Sequence, residues 1–261
     1  MKKRLSNSKI HKKIISPHAS LLLGSGGFKG HNDYLRKQIN TFLRSNVKKV
    51  AMIFYALDPA DRLSAYSWFE NNDIFSGRKL ESIHESRNQQ EVLKTAEVIY
   101  VNGGNTFKLL HQLYKNNLIK IIQERVAAGI PYIGISAGSN IAALTIRTTN
   151  DWPIVTPKKL DALSLLPFQI NPHYFGGRTY RRLGKRLIEH LGETREQRIK
   201  EYHQETDNNL DVIGIPEGSV LIIKKNHISY ESPLNEPAVI FRKGQKREEV
   251  TPNKNITHKL L

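Results

Sequence analysis

The run IPYIGISAGSNIAALTI, residues 130–146, decides how this chain is read. Its first half, IPYIGI, is a short continuous apolar run of the kind a strand buried on both faces requires. The small residues that follow suit a sharp turn, and SNIAALTI is predicted as a helix. Gly134, Ser136 and Gly138 complete a G-x-S-x-G pattern between predicted strand and predicted helix, the setting in which that pattern presents a serine on a nucleophile elbow. A strained turn needs small neighbours so that the backbone can pass closely, and Gly134, Ala137 and Gly138 meet that need. Behind Ser136 the helix N-terminus offers unpaired N–H groups and the positive end of a dipole to a developing oxyanion. Ser136 is equally a residue type that caps a helix, and the spacing alone leaves both readings open.

Outward from this run, strand-like and helix-like segments alternate. SLLLGSGG reads as a strand ending in a glycine turn, NDYLRKQINTFLRS as an amphipathic helix and KVAMIFYAL as a buried strand. DPADRLSAYSWFENN is predicted as a helix with Asp58 as its cap and Pro59 at its first position. AEVIYV is a strand, GGNT a turn, FKLLHQLYKNN a helix, and LIKIIQERVAAG a helix that Gly129 terminates. Later strands are expected at LDVIGI, SVLIIKK and AVIFRK. Continuous apolar strands separated by helices predict an α/β fold, a mostly parallel central sheet covered by helices on both faces. The expected organisation is a flexible basic segment over residues 1–18 followed by one α/β domain over 19–261.

Composition narrows the function. The chain has 261 residues, 39% hydrophobic and 25% charged, and contains no cysteine. That removes a disulfide framework, a thiol nucleophile and thiolate metal ligation. No apolar run reaches the roughly 18–20 residues of a membrane helix. The N-terminal residues begin with positive charge but carry no apolar core, so they do not read as a secretory leader. A cytoplasmic location without membrane association is the expectation.

A formal charge of +16 is the most unusual global feature. It resides largely in three clusters, Lys2 to Lys13, Arg178 to Arg186, and Arg242 to Arg247. They lack aromatic residues interleaved at stacking spacing, which argues for solvated surface over a nucleic-acid footprint. GSGGFKG at 24–30 fails as a dinucleotide fingerprint because Lys29 stands where the third glycine belongs. No metal-binding or Walker spacing is present, and no cofactor is expected.

A serine nucleophile needs a base, and the base an orienting acid. Of ten histidines, His173 in QINPHYF has the most suggestive setting, at the end of a predicted strand and beside Pro172. The acid candidates are Glu217, in a Pro-Glu-Gly turn between apolar strands, and Asp151 in RTTNDWP. The VNGGNT loop, 101–106, follows a strand and precedes a helix. Gly104 lies in it, where no side chain blocks the approach of a substrate to its N–H.

GISAGSN, TIRTTNDWPIV, LLPFQINPHYF, GETREQRIKEY and GIPEGSVL, in this order, resemble the peptidase E family of α-aspartyl dipeptidases. These are serine peptidases whose flavodoxin-like sheet is similar to that of class I glutamine amidotransferases. The resemblance is dense from about residue 97 to 225. It implies Ser136 as nucleophile, His173 as general base, Glu217 rather than Asp151 as third member, and the N–H groups of Gly104 and Ala137 as oxyanion hole. It implies Arg195 as the residue that holds an aspartyl side chain, which suits the bidentate pairing of guanidinium with carboxylate. Thr194 and Gln197 have capping-box spacing and place Arg195 at a helix start. The implied substrates are small aspartyl peptides; the oligomeric state stays open.

Three departures stand out. A long basic insert, 174–190, separates His173 from GETREQR; Ile135 replaces a common tryptophan, and Asn102 a frequent glycine. The insert leaves room for a cyanophycinase-like activity on β-aspartyl linkages. A nucleic-acid-binding protein on a hydrolase scaffold is the alternative from another class.

Overall fold

The chain builds its main layer in order along the sequence. The secondary structure runs β1 (Ser20–Gly24), α1 (Asn32–Phe42), β2 (Lys49–Ile53), α2 (Pro59–Asn71), β3 (Lys79–Ser82), α3 (Gln89–Thr95) and β4 (Val98–Val101). It continues through α4 (Thr106–Lys115), α5 (Ile119–Ala127), β5 (Tyr132–Ile135) and α6 (Ala137–Asn140). After a long irregular segment come β6 (Gln169–Pro172), β7 (Tyr180–Leu183), β8 (Arg186–Glu189) and α7 (Arg195–Glu205). The chain ends with β9 (Val212–Ile215), β10 (Val220–Lys224), β11 (His227–Glu231), β12 (Ala238–Phe241), β13 (Glu248–Val250), β14 (Lys254–Asn255) and α8 (Thr257–Leu260). These elements belong to a computed structural model that describes residues 15–26, 32–177, 180–189, 192–205 and 209–261. Arg178, the whole first basic cluster from Lys2 to Lys13, and Gly27, Phe28, Lys29 and Gly30 of the early glycine run lie outside the described residues.

The first sheet has the order β14-β11-β10-β1-β5-β4-β2-β3. Neighbours from β1 to β3 are parallel, and β10, β11 and β14 extend the sheet antiparallel from β1. The apolar strand runs are continuous because both faces are covered. Leu21, Leu23, Ile53, Ile99 and Val101 pack into one layer with Leu109 and Leu113 of α4 and Ile122 of α5. Their alternates Leu22, Val50, Met52, Val98 and Tyr100 pack into the other with Leu35 and Ile39 of α1 and Phe69 of α2. Side chains alternate across a strand, so one unbroken run serves both cores. Ile15 is 1% exposed and joins the first layer, whereas Pro17 and His18 after it are exposed.

A second sheet, β13-β12-β9-β6, stands beside the first. Ile170, Ile213, Ile215 and Ile240 face the common core. Val212 and Val239 face outward against Ile199 and Tyr202 of α7 and against Tyr174. The chain crosses between sheets at Pro216–Ser219, leaving β9 in the second and entering β10 in the first.

Two expectations need correction. SNIAALTI is not a helix beyond Asn140. The carbonyls of Ile141, Ala142, Ala143 and Leu144 accept from the N–H groups of Leu163, Leu165, Ser164 and Ala162, so a returning strand of chain takes the acceptors a longer helix would use. Asp58 stands at the N-cap of α2, but its side chain makes no capping bond and pairs with Lys108 instead. The basic insert forms the antiparallel hairpin β7–β8, a two-stranded sheet of its own.

Candidate active site

Parallel strands place their carboxyl ends on one edge, and ligand sites of open α/β sheets gather there. Here β1 delivers Ser25 and Gly26, β4 delivers Gly103 and Gly104, and β5 delivers Ser136. The second sheet contributes His173 after β6 and Glu217 after β9. The cluster therefore lies on the seam between the two sheets.

Ser136 has φ 53° and ψ −108°, a conformation that L-residues rarely adopt and that the surrounding structure must hold. The neighbours show how. A Cβ at Gly134 would stand 2.4 Å from the carbonyl oxygen of Gly138, and one at Gly138 would stand 2.2 Å from that of Val101. Only glycine lets the elbow fold onto its own strand and lie against the end of β4. The Ser139 hydroxyl lies 2.7 Å from the carbonyls of both Gly24 and Gly134, and Tyr132 Oη donates to Gly138 O at 2.6 Å. Ser136 caps nothing: its side chain makes no capping bond to α6. Instead Ser136 Oγ lies 2.6 Å from His173 Nε2, and His173 Nδ1 lies 2.6 Å from Glu217 Oε1.

Asp151, the other acid candidate, is engaged elsewhere. Its Oδ2 accepts from Thr106 N at 2.7 Å, Thr106 Oγ1 at 2.6 Å and Thr149 Oγ1 at 3.1 Å. It thereby supports the start of α4, where Asn105 also caps Lys108 N. The loop before that helix is built around Gly104, at φ 131°, where a Cβ would lie 2.5 Å from Ala56 O. A Cβ on Gly103 would lie 3.1 Å from that of Ser136, so this loop runs directly against the elbow. Among the described residues the N–H groups of Gly104 and Ala137 have no partner, as an oxyanion hole requires.

Residues 24–26 tie these parts together, a function that GSGGFKG did not suggest as a sequence. Gly24 O accepts from Ser136 N at 2.9 Å, Ser25 Oγ accepts from His173 N at 2.7 Å, and Gly26 O accepts from Gly218 N at 2.7 Å. Gly26 also lies against the imidazole, since a Cβ there would stand 2.7 Å from His173 Cε1. The one available signal was position: a glycine turn following the first strand of a parallel sheet falls on the ligand edge.

Arg195 is the first residue of α7, and the capping box is formed in both directions: Gln197 N donates to Thr194 Oγ1 at 3.2 Å and Thr194 N to Gln197 Oε1 at 2.7 Å. Arg195 is half-buried and lines a cavity of about 800 Å³ with Thr149, Asn150, Asp151 and Trp152. Burial lowers its guanidinium pKa, and the Asp151 carboxylate acts in the opposite sense. The cavity does not reach Ser136 through its lining, but Asn150 Nδ2 donates at 2.8 Å to Pro172 O, one residue before His173.

Residues 20–230 match the family model of Peptidase family S51. The chain belongs to that family. It is 37% identical over 227 residues to peptidase E of Nostoc sp., covering 85% of this chain and 88% of the relative. It is 50% identical over 165 residues to peptidase E of Shewanella amazonensis, covering 63% and 65%. A candidate peptidase E from Listeria monocytogenes superposes with a TM-score of 0.59 at 25% identity, over 82% of this chain and 98% of that one. A peptidase from an acI-B1 Actinobacterium shares the fold, with a TM-score of 0.58 at 15% identity, over 91% and 96%. Family S51 membership makes the protein a serine-type peptidase with the α/β architecture that its strands and helices display.

Proposed function

We propose that this S51 peptidase hydrolyses Asp-Xaa dipeptides, with Ser136 as nucleophile, His173 as general base and Glu217 as orienting acid. The observation that carries the reading is the unbroken chain from Ser136 Oγ through both imidazole nitrogens to Glu217 Oε1, each link 2.6 Å long. Ser136 attacks the aspartyl carbonyl and passes its proton to His173 Nε2, while the Glu217 carboxylate holds Nδ1–H and stabilises the imidazolium. The N–H groups of Gly104 and Ala137 take the oxyanion, each contributing about 3 kcal/mol to the transition state. His173 returns the proton to the leaving amine, and water then cleaves the aspartyl-enzyme by the same route in reverse. Arg195 accepts the aspartyl side-chain carboxylate in the adjoining cavity. Residues 19–261 act as one catalytic unit, in the cytoplasm, on small aspartyl peptides and not on nucleic acid.

Release of p-nitroaniline from aspartyl-p-nitroanilide tests the reading, with purified Ser136→Ala as the blank. Loss of ~10⁵–10⁶-fold in kcat for Ser136→Ala and His173→Ala, and less for Glu217→Gln, is expected from the behaviour of serine triads. An active Ser136→Ala enzyme ends the proposal. Hydrolysis of β-aspartyl-arginine but not of the anilide would transfer the same machinery to the cyanophycinase-like alternative.

A further inference from the structure

A second cavity, about 780 Å³ in volume, lies on the other side of α7 from the one that holds Arg195. Its walls are α7 and the β12–β13 turn. The floor is mostly apolar: Ile199 is 3% exposed, half-buried Phe241 meets Tyr174 edge-on with ring centroids 5.6 Å apart, and beside them lies buried His203, whose Nε2 is paired with Leu210 O at 3.0 Å. The rim is cationic, with Lys200 on the helix and Lys243 on the turn, both exposed, and Arg247 beside them. Lys200 forms no ion pair among the described residues. Arg247 already engages a carboxylate there, that of Glu196, and Glu196 Oε1 in turn accepts from Tyr174 Oη at 3.0 Å.

We propose that this cavity binds a small organic carboxylate with an apolar body, and that occupancy adjusts substrate binding at the catalytic seam. The apolar floor takes the body, and the guanidinium and ammonium rim takes the carboxylate, the pairing that Arg247 makes with Glu196 within the chain. Inorganic phosphate would leave the floor unused. Two physical connections lead to the active site. Tyr174, packed on Phe241 and bonded to Glu196, is the residue after His173. The helix that walls the cavity begins with Arg195, and Thr194 lines both cavities. A bound carboxylate competes with Glu196 for Arg247, loosens Glu196 from Tyr174 and shifts the first turn of α7. The effect on catalysis rests on the aspartyl-peptidase reading, whereas binding itself does not.

Phenylacetate is the probe, titrated calorimetrically into the wild type, into Ser136→Ala and into Lys200→Glu/Lys243→Glu, whose changes lie on exposed rim positions. Saturable binding to the first two with a Kd below about 10 mM, weakened at least ~10-fold in the double variant, is expected. In assays of aspartyl-p-nitroanilide, phenylacetate should raise KM several-fold to a plateau, and the double variant should keep the basal kcat and KM while losing that response. No saturable heat, binding unaffected by the double variant, or complete displacement by aspartate would each overturn the proposal. Binding to Ser136→Ala without any aspartyl hydrolysis by the wild type would retain the cavity and refute the substrate assignment alone.

Discussion

Ser25 Oγ stands 2.7 Å from the backbone nitrogen of His173 and 3.0 Å from the carbonyl oxygen of Ile215, joining the loop that carries His173 to the strand that leads to Glu217. Ser25 is fully buried, and His173 has φ 56°. One hydroxyl thus accepts from the His173 N–H and adds a second donor to Ile215 O, which already accepts from Tyr174 N at 3.0 Å.

Ser25→Ala is expected to lower kcat by ~10–100-fold with little change in KM, and to cost about 1–3 kcal/mol of stability by leaving the His173 N–H unpaired. The assay is run well below the melting transition, so that lost fold and lost alignment separate. The downfield proton resonance of the His173–Glu217 hydrogen bond should weaken in parallel. An unchanged kcat with a lower melting temperature would limit Ser25 to a structural part. Gly26→Ala should resemble it in kcat, because its Cβ would stand 2.7 Å from His173 Cε1.

Gly104→Ala should remove most activity by displacing an oxyanion donor. Its φ of 131° and the 2.5 Å approach of its would-be Cβ to Ala56 O force the loop to move. A fall of ~10²–10³-fold in kcat is expected, the usual effect of losing one such donor. Near-wild-type kcat in this variant would exclude the Gly104 N–H from the reaction.

Arg195→Lys and Arg195→Ala test side-chain recognition. Replacing a guanidinium that binds a carboxylate through two parallel bonds should weaken kcat/KM for aspartyl over asparaginyl substrates, ~10-fold or more for alanine and by a smaller factor for lysine. Equal discrimination in all three enzymes would remove the assigned role.

Acid stability has a separate local origin. Glu248 is held below the ordinary carboxylate pKa of 4.5, first by a hydrogen bond from Lys259 and then by one from Arg242 at 2.7 Å. A depressed folded-state pKa stabilises above the unfolded value, and the contribution is lost as pH falls through the folded one. Glu248→Gln should therefore reduce stability at neutral pH and flatten its decline below about pH 4.5, measured by urea unfolding at several pH values. A decline of undiminished slope would mean that other carboxylates govern the acid limb.

Much of the first sheet and the glycine-flanked turn at Ser136 was legible before any coordinates. Buried parallel strands leave continuous apolar runs, Gly134 and Gly138 mark an elbow between a strand and a helix start, and Thr194 and Gln197 announce a cap; each is a local pattern with a local cause. Beyond that reach lay the end of α6 at Asn140, which depends on N–H groups some twenty residues further along the chain taking its successors' carbonyls. Asp151 and Glu217 were equally plausible acids by composition and turn type. Only the tertiary structure assigns Asp151 to Thr106 and Thr149 and brings Glu217 to His173 Nδ1.

The sequence by itself determined that an elbow serine sits at the ligand edge of a parallel sheet, because strand period and glycine placement are properties of neighbouring residues. Which histidine meets that serine, and which carboxylate meets the histidine, was decided where two sheets meet. Ser25 binds His173 across 148 positions in the chain, and Gly26 receives Gly218 across a still longer span. Contacts at such separation leave no period and no spacing in the sequence, since they exist only once β1, β6 and β9 have packed side by side.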